Sequence, residues 1–509
     1  MIRWMRLAGA ILILSAVQVV FAALPANDND RATYLELLRD LYSEVLTMDA
    51  VVESKEDRER FIAEFQRAIL DPSYANPALE MGKSWSGIWP PPPLTLVDVK
   101  KPLKNYVSIR AKSASSTDHS LHDLNTYVHQ RLGEKTSRAL VEGKVVGFVY
   151  GGRPSSALAY LGVQPDKAIR IPSFYESWGI TKVYAPSESF VDGKPRLIIV
   201  VPPSTQYLQH YATMMRTIDA KYDRVILDRA DQISYRLQLQ SSLLDITRTL
   251  QAKPDYIVLG YYNQWVSVVG SLDSDWRLLN TSEEAKGAIG LTGRVLTLMH
   301  KTTGEISNVL LVASALTMWG EAAAFIAEGA LKLKPKGLIF MGSSGAVSSL
   351  NEVYGLSVPE MFLTKKGRQH VGNFVQRGDR QMQTMINDTE VRFGARHANT
   401  FSPIEQDRSY LTKLRQLTVD TVDVEQSLIA EAIVKHNSGS SKVLFGAINL
   451  ITDKPGSIFE NIPAAHDLDR VDWNKKERAR QAAVQLALES IGRVESRARV
   501  SCRMAFGGN

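Results

Sequence analysis

Three short segments in the second half of the chain carry the residue types best suited to chemistry. Gly342-Ser343-Ser344-Gly345-Ala346-Val347 follows an apolar run, so two hydroxyls and several amides gather where a strand should end in a turn. Thr421-Val422-Asp423-Val424-Glu425-Gln426-Ser427 sets two carboxylates one residue apart at the expected opening of a helix. Thr452-Asp453-Lys454-Pro455-Gly456 closes a further apolar run with an acid. In open α/β folds ligands bind at the carboxyl ends of the strands, so groups delivered there can meet on one small molecule. Each segment also has a plainer reading. Gly-Ser-Ser-Gly serves as a turn, Asp423 and Glu425 as helix-end carboxylates that complement the dipole, and Asp453 as the start of a turn before Pro455.

Two further clusters lie in the first half. Tyr150-Gly151-Gly152-Arg153-Pro154-Ser155-Ser156 leads from a strand to a helix, and its amides with Arg153 suit an anion, although any tight turn uses the same glycines. His119, His122 and His129 stand beside Asp118 and Asp123, close to one face of an expected helix. Their spacing is not a recognised ligand pattern, so no metal is assigned.

The elements that must position these groups follow from periodicity. Residues 33–46 and 56–70 carry apolar positions at helical spacing, four consecutive prolines end the stretch 85–93, and a helix is expected near 119–132. From Lys144 the texture becomes short β-branched runs separated by helical spacers: 145–150, 197–201, 224–227, 256–259, 309–312, 338–341 and 443–451. Such runs suit strands buried on both faces, which predicts an α/β fold with a largely parallel sheet flanked by helices. Lys253-Pro254 makes a natural border. The expected organisation is a leader at 1–22, a helical segment with a proline-rich linker at 23–139, an α/β unit at 140–252, and a second at 255–500.

The leader reading rests on Arg3 and Arg6, an apolar run over 7–20, and Val20-Phe21-Ala22 in small-x-small position. It predicts a cleaved signal peptide and a secreted or periplasmic protein. The run is shorter than the roughly 20 residues that span a bilayer, and no later one is long enough, so no stable membrane insertion is expected. The net charge of +6 is spread without a basic stripe, which argues against nucleic acid as a partner. The single cysteine, Cys502, forbids an intrachain disulfide.

In their order and spacing the three segments resemble the nucleoside phosphorylase and nucleosidase superfamily. Residues 321–333 stand where that family has the helix before its Gly-Ser-x-Gly loop, Val422-Asp423-Val424-Glu425 where it reads Val-x-Met-Glu, Thr452-Asp453 where it has Ser-Asp, and 478–491 where an Ala-rich helix follows. Thr400-Phe401-Ser402-Pro403, within 393–411, matches the segment before the acidic one. The resemblance covers about residues 255–495. It implies a phosphorylase-like domain, a nucleoside-like ligand, no cofactor beyond phosphate as a co-substrate, and a homo-oligomer. By that resemblance Glu425 accepts hydrogen bonds from ribose hydroxyls, Val424 packs on the sugar, and Gly342, Ser343 and Ser344 sit beside phosphate or attacking water. Asp453 would protonate a departing purine, a step that needs an acid because cleavage passes through an oxocarbenium-like sugar. Two departures bear on the reaction. The arginine that phosphorolytic members place before the loop is replaced by apolar Ile339-Phe340-Met341, and residues 259–265 hold no carboxylate where hydrolytic members keep a glutamate base. Hydrolysis is thus favoured over phosphorolysis, with a non-catalytic nucleoside-binding or sensing module as the alternative.

Overall fold

The computed structural model describes residues 106–108, 128, 132, 134–164, 168–171, 181–185, 193–219, 222–270, 275–314, 319–348, 351–364, 367–376, 383–400, 402–406, 408–439, 442–454 and 472–506. The leader, the expected helices at 33–46 and 56–70, the proline run and His119, His122 and His129 lie outside these. Described residues up to Tyr235 belong to one compact unit, and those from Arg236 onward to a second.

The first unit holds a six-stranded sheet: β1 (Tyr106–Ser108), β2 (Val146–Gly151), β3 (Ile169–Ile171), β4 (Thr181–Ala185), β5 (Arg196–Val201) and β6 (Val225–Asp228), in the order β1-β6-β2-β5-β4-β3. The three central strands are parallel, and the outer ones run antiparallel to their neighbours. β5 reads Arg-Leu-Ile-Ile-Val-Val and buries its last five residues, as a strand covered on both faces must. The helix Thr205–Ile218 follows it, started by Ser204, whose hydroxyl accepts the Tyr207 N–H.

The second unit contains β7 (Tyr256–Leu259), β8 (Trp276–Thr281), β9 (Ala285–Lys286), β10 (Leu291–His300), β11 (Ile306–Ser314), β12 (Gly337–Ala346), β13 (Leu356–Thr364), β14 (Gly367–His370), β15 (Gln383–Ile386), β16 (Thr389–Asn399), β17 (Thr421–Asp423) and β18 (Leu444–Asp453). Each of the seven apolar runs read from the sequence is a strand in one unit or the other. The sheet, however, is mixed where a largely parallel one was expected. β11, β7, β12 and β18 are parallel neighbours, as are β13, β16 and β17, but the two groups meet through antiparallel pairs, β12 with β17 and β13 with β18. Those two junctions close β12, β18, β13, β16 and β17 into a ring. Periodicity could not show this, because antiparallel and parallel strands that are buried on both faces carry the same apolar pattern.

Helices cover the sheet. Glu321–Lys332 and Gln426–Asn437 pack against each other, the second burying Ile429, Ala430 and Ile433. The last helix, Trp473–Phe506, buries Ala479, Ala482, Ala483, Leu486, Ala487 and Ile491 in one core with Val258, Ile339 and Ile448. Its spacing of three and four residues makes one apolar face, and the alanines let the helix lie close to the strands. Fully burying Leu486 or Ile491 contributes about 1.5–3 kcal/mol relative to exposure, and each alanine methyl about 0.8 kcal/mol. Among the described residues no helix is long and apolar enough to cross a membrane.

Candidate functional site

The Gly-Ser-Ser-Gly segment is not a turn. β12 runs through it to Ala346, with Ser343 opposite Leu450 and Ser344 opposite Ile451, followed by a register shift that brings Gly345 opposite Asp453. On its other side Gly345 pairs with Val422. Hydrogen-bonded neighbours on both edges hold this stretch extended, which outweighs the turn preference of Gly and Ser. One backbone position therefore lies between the other two segments. Strands sit about 4.8 Å apart, so the Val422 and Asp453 backbones are separated by roughly 10 Å.

The acidic segment also differs from its expected form. Thr421–Asp423 is a strand and the helix begins only at Gln426, with Glu425 at its N-cap. Asp423 does what a capping acid does: its Oδ1 accepts the N–H groups of Glu425 at 3.0 Å and Gln426 at 3.1 Å. Glu425 is buried, and its carboxylate accepts the N–H groups of Val424, Gly320 and its own residue. Gly320 is the N-cap of the Glu321–Lys332 helix, so the carboxyl stands at the N-termini of two helices. Burial pushes it well above the ordinary carboxylate range, and the negative Asp423 adds to the rise, against the pull of those N–H groups. Glu425 is therefore a buried carboxyl of raised pKa that accepts its hydrogen bonds from main-chain N–H groups. Val424 beside it is buried.

Asp453 is half-buried, and its Oδ1 accepts the Thr452 hydroxyl at 2.9 Å. Ser343 is exposed and hydrogen-bonds the Tyr261 hydroxyl, which also donates to the Gly342 carbonyl at 2.8 Å. Burial pushes the Tyr261 hydroxyl up to about 12, so it stays protonated. Ser344 is buried, and its Oγ has no hydrogen-bond partner among the described residues. Gly342 is half-buried, and a Cβ there would lie 2.6 Å from the Phe340 ring, which explains glycine at that point of the strand.

Sequence reading missed the polar cluster behind these groups. His397 on β16 is fully buried, with Nε2 2.9 Å from Asp423 Oδ1 and Nδ1 2.9 Å from the Thr421 hydroxyl. Asn449 on β18 faces the same ring nitrogen at 3.4 Å and pairs with the Gln426 side chain. The signal was present as polar residues inside otherwise apolar strands, since a buried polar side chain needs partners to be tolerated. Carboxylates absent from 259–265 arrive from elsewhere: Glu284 Oε2 takes the Tyr262 hydroxyl at 3.1 Å, and Glu477 takes the Gln264 amide at 3.0 Å. Arg294 lies over the Tyr262 ring and Arg480 over that of Tyr261, with guanidinium carbons 5.7 and 5.6 Å from the ring centres.

In the first unit the Gly151-Gly152 turn is self-contained. Asp231 Oδ2 accepts the Arg153 N–H at 2.8 Å, Arg153 Nη2 donates to the Ser234 hydroxyl, and the Tyr150 hydroxyl donates to Asp228. Two buried acids at this point oppose an anion. Among the described residues no group of His, Cys, Asp and Glu is placed to hold a metal ion.

No protein-family model matches the chain, and no curated protein matches it. Among solved structures it is similar, over about half its length, to nucleosidases and a nucleoside phosphorylase. The 5′-methylthioadenosine/S-adenosyl homocysteine nucleosidase of Campylobacter jejuni is 11% identical, covering 47% of this chain and 98% of that one at a TM-score of 0.34. Uridine phosphorylase from Vibrio fischeri is 14% identical over 48% of this chain and 93% of its own, at 0.32. A futalosine hydrolase mutant of Helicobacter pylori is 9% identical over 47% and 98%, also at 0.32.

Proposed function

We propose that the C-terminal domain, about residues 255–500, binds a purine-type nucleoside and hydrolyses its N-glycosidic bond in an exported protein. The observation that carries this reading is the double pairing of Gly345 with Val422 and Asp453, which gathers three segments that lie far apart in the chain at one end of the sheet. Glu425 would hydrogen-bond the sugar hydroxyls through its buried carboxyl. Val424 lies beside that contact. Asp453 would give a proton to the base nitrogen as the bond from C1′ breaks and water adds to C1′, and the proton that the water releases would return to the Asp453 carboxylate. Ser343, with Gly342 and Ser344, borders the position of the attacking water. No cofactor enters this chemistry, and phosphate would enter only as a co-substrate replacing water.

A second reading, a binding or sensing module, draws support from the lack of a carboxylate in 259–265 and from the engagement of Glu284 and Glu477 with other side chains. One experiment decides between them. The protein is incubated with adenosine, inosine, guanosine, 5′-methylthioadenosine and uridine, with and without phosphate, and free base is measured by chromatography. Release without phosphate supports hydrolysis, and release that requires phosphate supports phosphorolysis. Binding seen by calorimetry without release supports the module.

A further inference from the structure

His397 and Thr421 are register partners on the parallel strands β16 and β17, and Asp423 lies two residues further along β17, on the same face. The imidazole therefore bridges Thr421 and Asp423. Asp423 settles that Nε2 carries a proton. An ionised Asp423 only accepts, so Nε2 must donate to it. Nδ1 faces the Thr421 hydroxyl at 2.9 Å and the Asn449 amide at 3.4 Å. Asn449 in turn pairs with the Gln426 side chain, Nδ2 to Oε1 at 3.0 Å and Oδ1 to Nε2. Both ring nitrogens of His397 thus have partners, and the Nε2–H is the one that holds Asp423. Besides Thr421, Asp423 and Asn449, the ring meets Phe362, with centroids 5.9 Å apart.

The same oxygen of Asp423 that takes the imidazole N–H also takes the main-chain N–H groups of Glu425 and Gln426. We propose that His397 is the positioning residue of the site: through Asp423 it fixes the backbone from which the Glu425 carboxyl reaches a ligand's hydroxyls. Only the ligand in that statement rests on the nucleoside reading. The Nε2–H and the hold on the two amides stand without it.

The test uses the full chain with His397→Gln, which keeps an N–H near the Nε2 position, and His397→Leu, which keeps bulk alone. Ring nitrogen shifts in the wild type, assigned by the resonance lost in His397→Gln, are expected to show Nε2 protonated. Amide hydrogen exchange at Glu425 and Gln426 is expected to speed up about ten- to hundredfold in His397→Leu, the typical worth of a hydrogen bond to a charged group, and less in His397→Gln. Amides later in the Gln426–Asn437 helix should keep their wild-type rates. With adenosine as probe, KM should rise in His397→Leu more than kcat falls. A ring with Nε2 bare, or an equal rise in exchange along the whole helix in both variants, overturns the proposal. Adenosine left uncleaved and unbound by the wild type counts against the nucleoside reading, while the ring-nitrogen and exchange results still judge His397.

Discussion

Replacing Glu425 with glutamine should leave the protein unchanged in acid and make it more stable near neutrality. In the fold the carboxyl is buried beside Asp423, and both effects favour its protonated form over the ordinary carboxylate value of 4.5. The unfolded chain releases this proton as pH passes that value, while the folded chain retains it. The folded state then binds more protons, so wild-type stability is fully present below the unfolded value and declines above it. The decline is about 1.4 kcal/mol per pH unit until the folded-state value is reached. Glutamine has the same size, its carbonyl can take the N–H groups of Val424 and Gly320, and it does not titrate. For a unit of this size 1 kcal/mol moves the melting temperature by roughly 2–4 °C, so each pH unit in the window should separate the two proteins by about 3–6 °C. Calorimetric melts of both at pH 4, 5, 6 and 7 measure the gap. Parallel melting curves across that range, or a variant less stable at pH 7, would refute the assignment of Glu425 as a buried carboxyl of raised pKa. In ligand binding the same substitution should cost only about 0.5–1.5 kcal/mol, the value for a neutral hydrogen bond, whereas a charged acceptor would lose about 1.5–3.

Asp453→Asn keeps size and can donate a hydrogen bond but cannot deliver a proton, so turnover of any cleaved nucleoside should fall about 10²- to 10⁴-fold with little change in binding. Equal turnover in single-turnover assays would remove Asp453 from the mechanism. Gly260 sits at φ +107°, and a Cβ there would lie 2.0 Å from the Met341 carbonyl oxygen. Gly260→Ala should therefore destabilise the second unit by about 3 kcal/mol or more, read from denaturant melts. Burial raises Glu495, but hydrogen bonds from Tyr256 and Lys336, with the Lys336 charge, outweigh it and hold the carboxyl below its ordinary value. Its stabilisation is present above that ordinary value and is lost as pH falls through the depressed one. Glu495→Gln should thus cost about 1–3 kcal/mol at pH 7 and progressively less in acid, a convergence that melts at several pH values would show.

Much of the α/β architecture was legible because strands covered on both faces must be continuous apolar runs. β5 and β7 show it: their residues had no alternative solvent-facing role. The Ala-rich last helix was legible for a related reason, since apolar positions at three- and four-residue spacing leave only one face to bury. The candidate segments were legible as a set in sequence order, each placed after an apolar run. Their individual conformations were less so. Gly342 to Gly345 favours a turn by local propensity, and Thr421 to Asp423 looks like a helix opening, but partners on neighbouring strands recruit both into the sheet. Local preference is worth tenths of a kcal/mol to about one per residue, less than a strand gains from two bonded edges.

The sequence by itself determined which residues could do chemistry and which runs had to be buried, because residue type and periodicity are local properties. Only the tertiary structure decided what those residues are. Closing β12, β18, β13, β16 and β17 into a ring set Val422, Gly345 and Asp453 side by side and turned the side chains of His397, Thr421, Asp423 and Asn449 toward one another. Burial of Glu425 beside Asp423 then raised its carboxyl well above the range of an isolated glutamate. Protonation state and hydrogen-bond direction depend on solvent exclusion and on neighbours from strands far apart in the chain, and neither is written at the position itself.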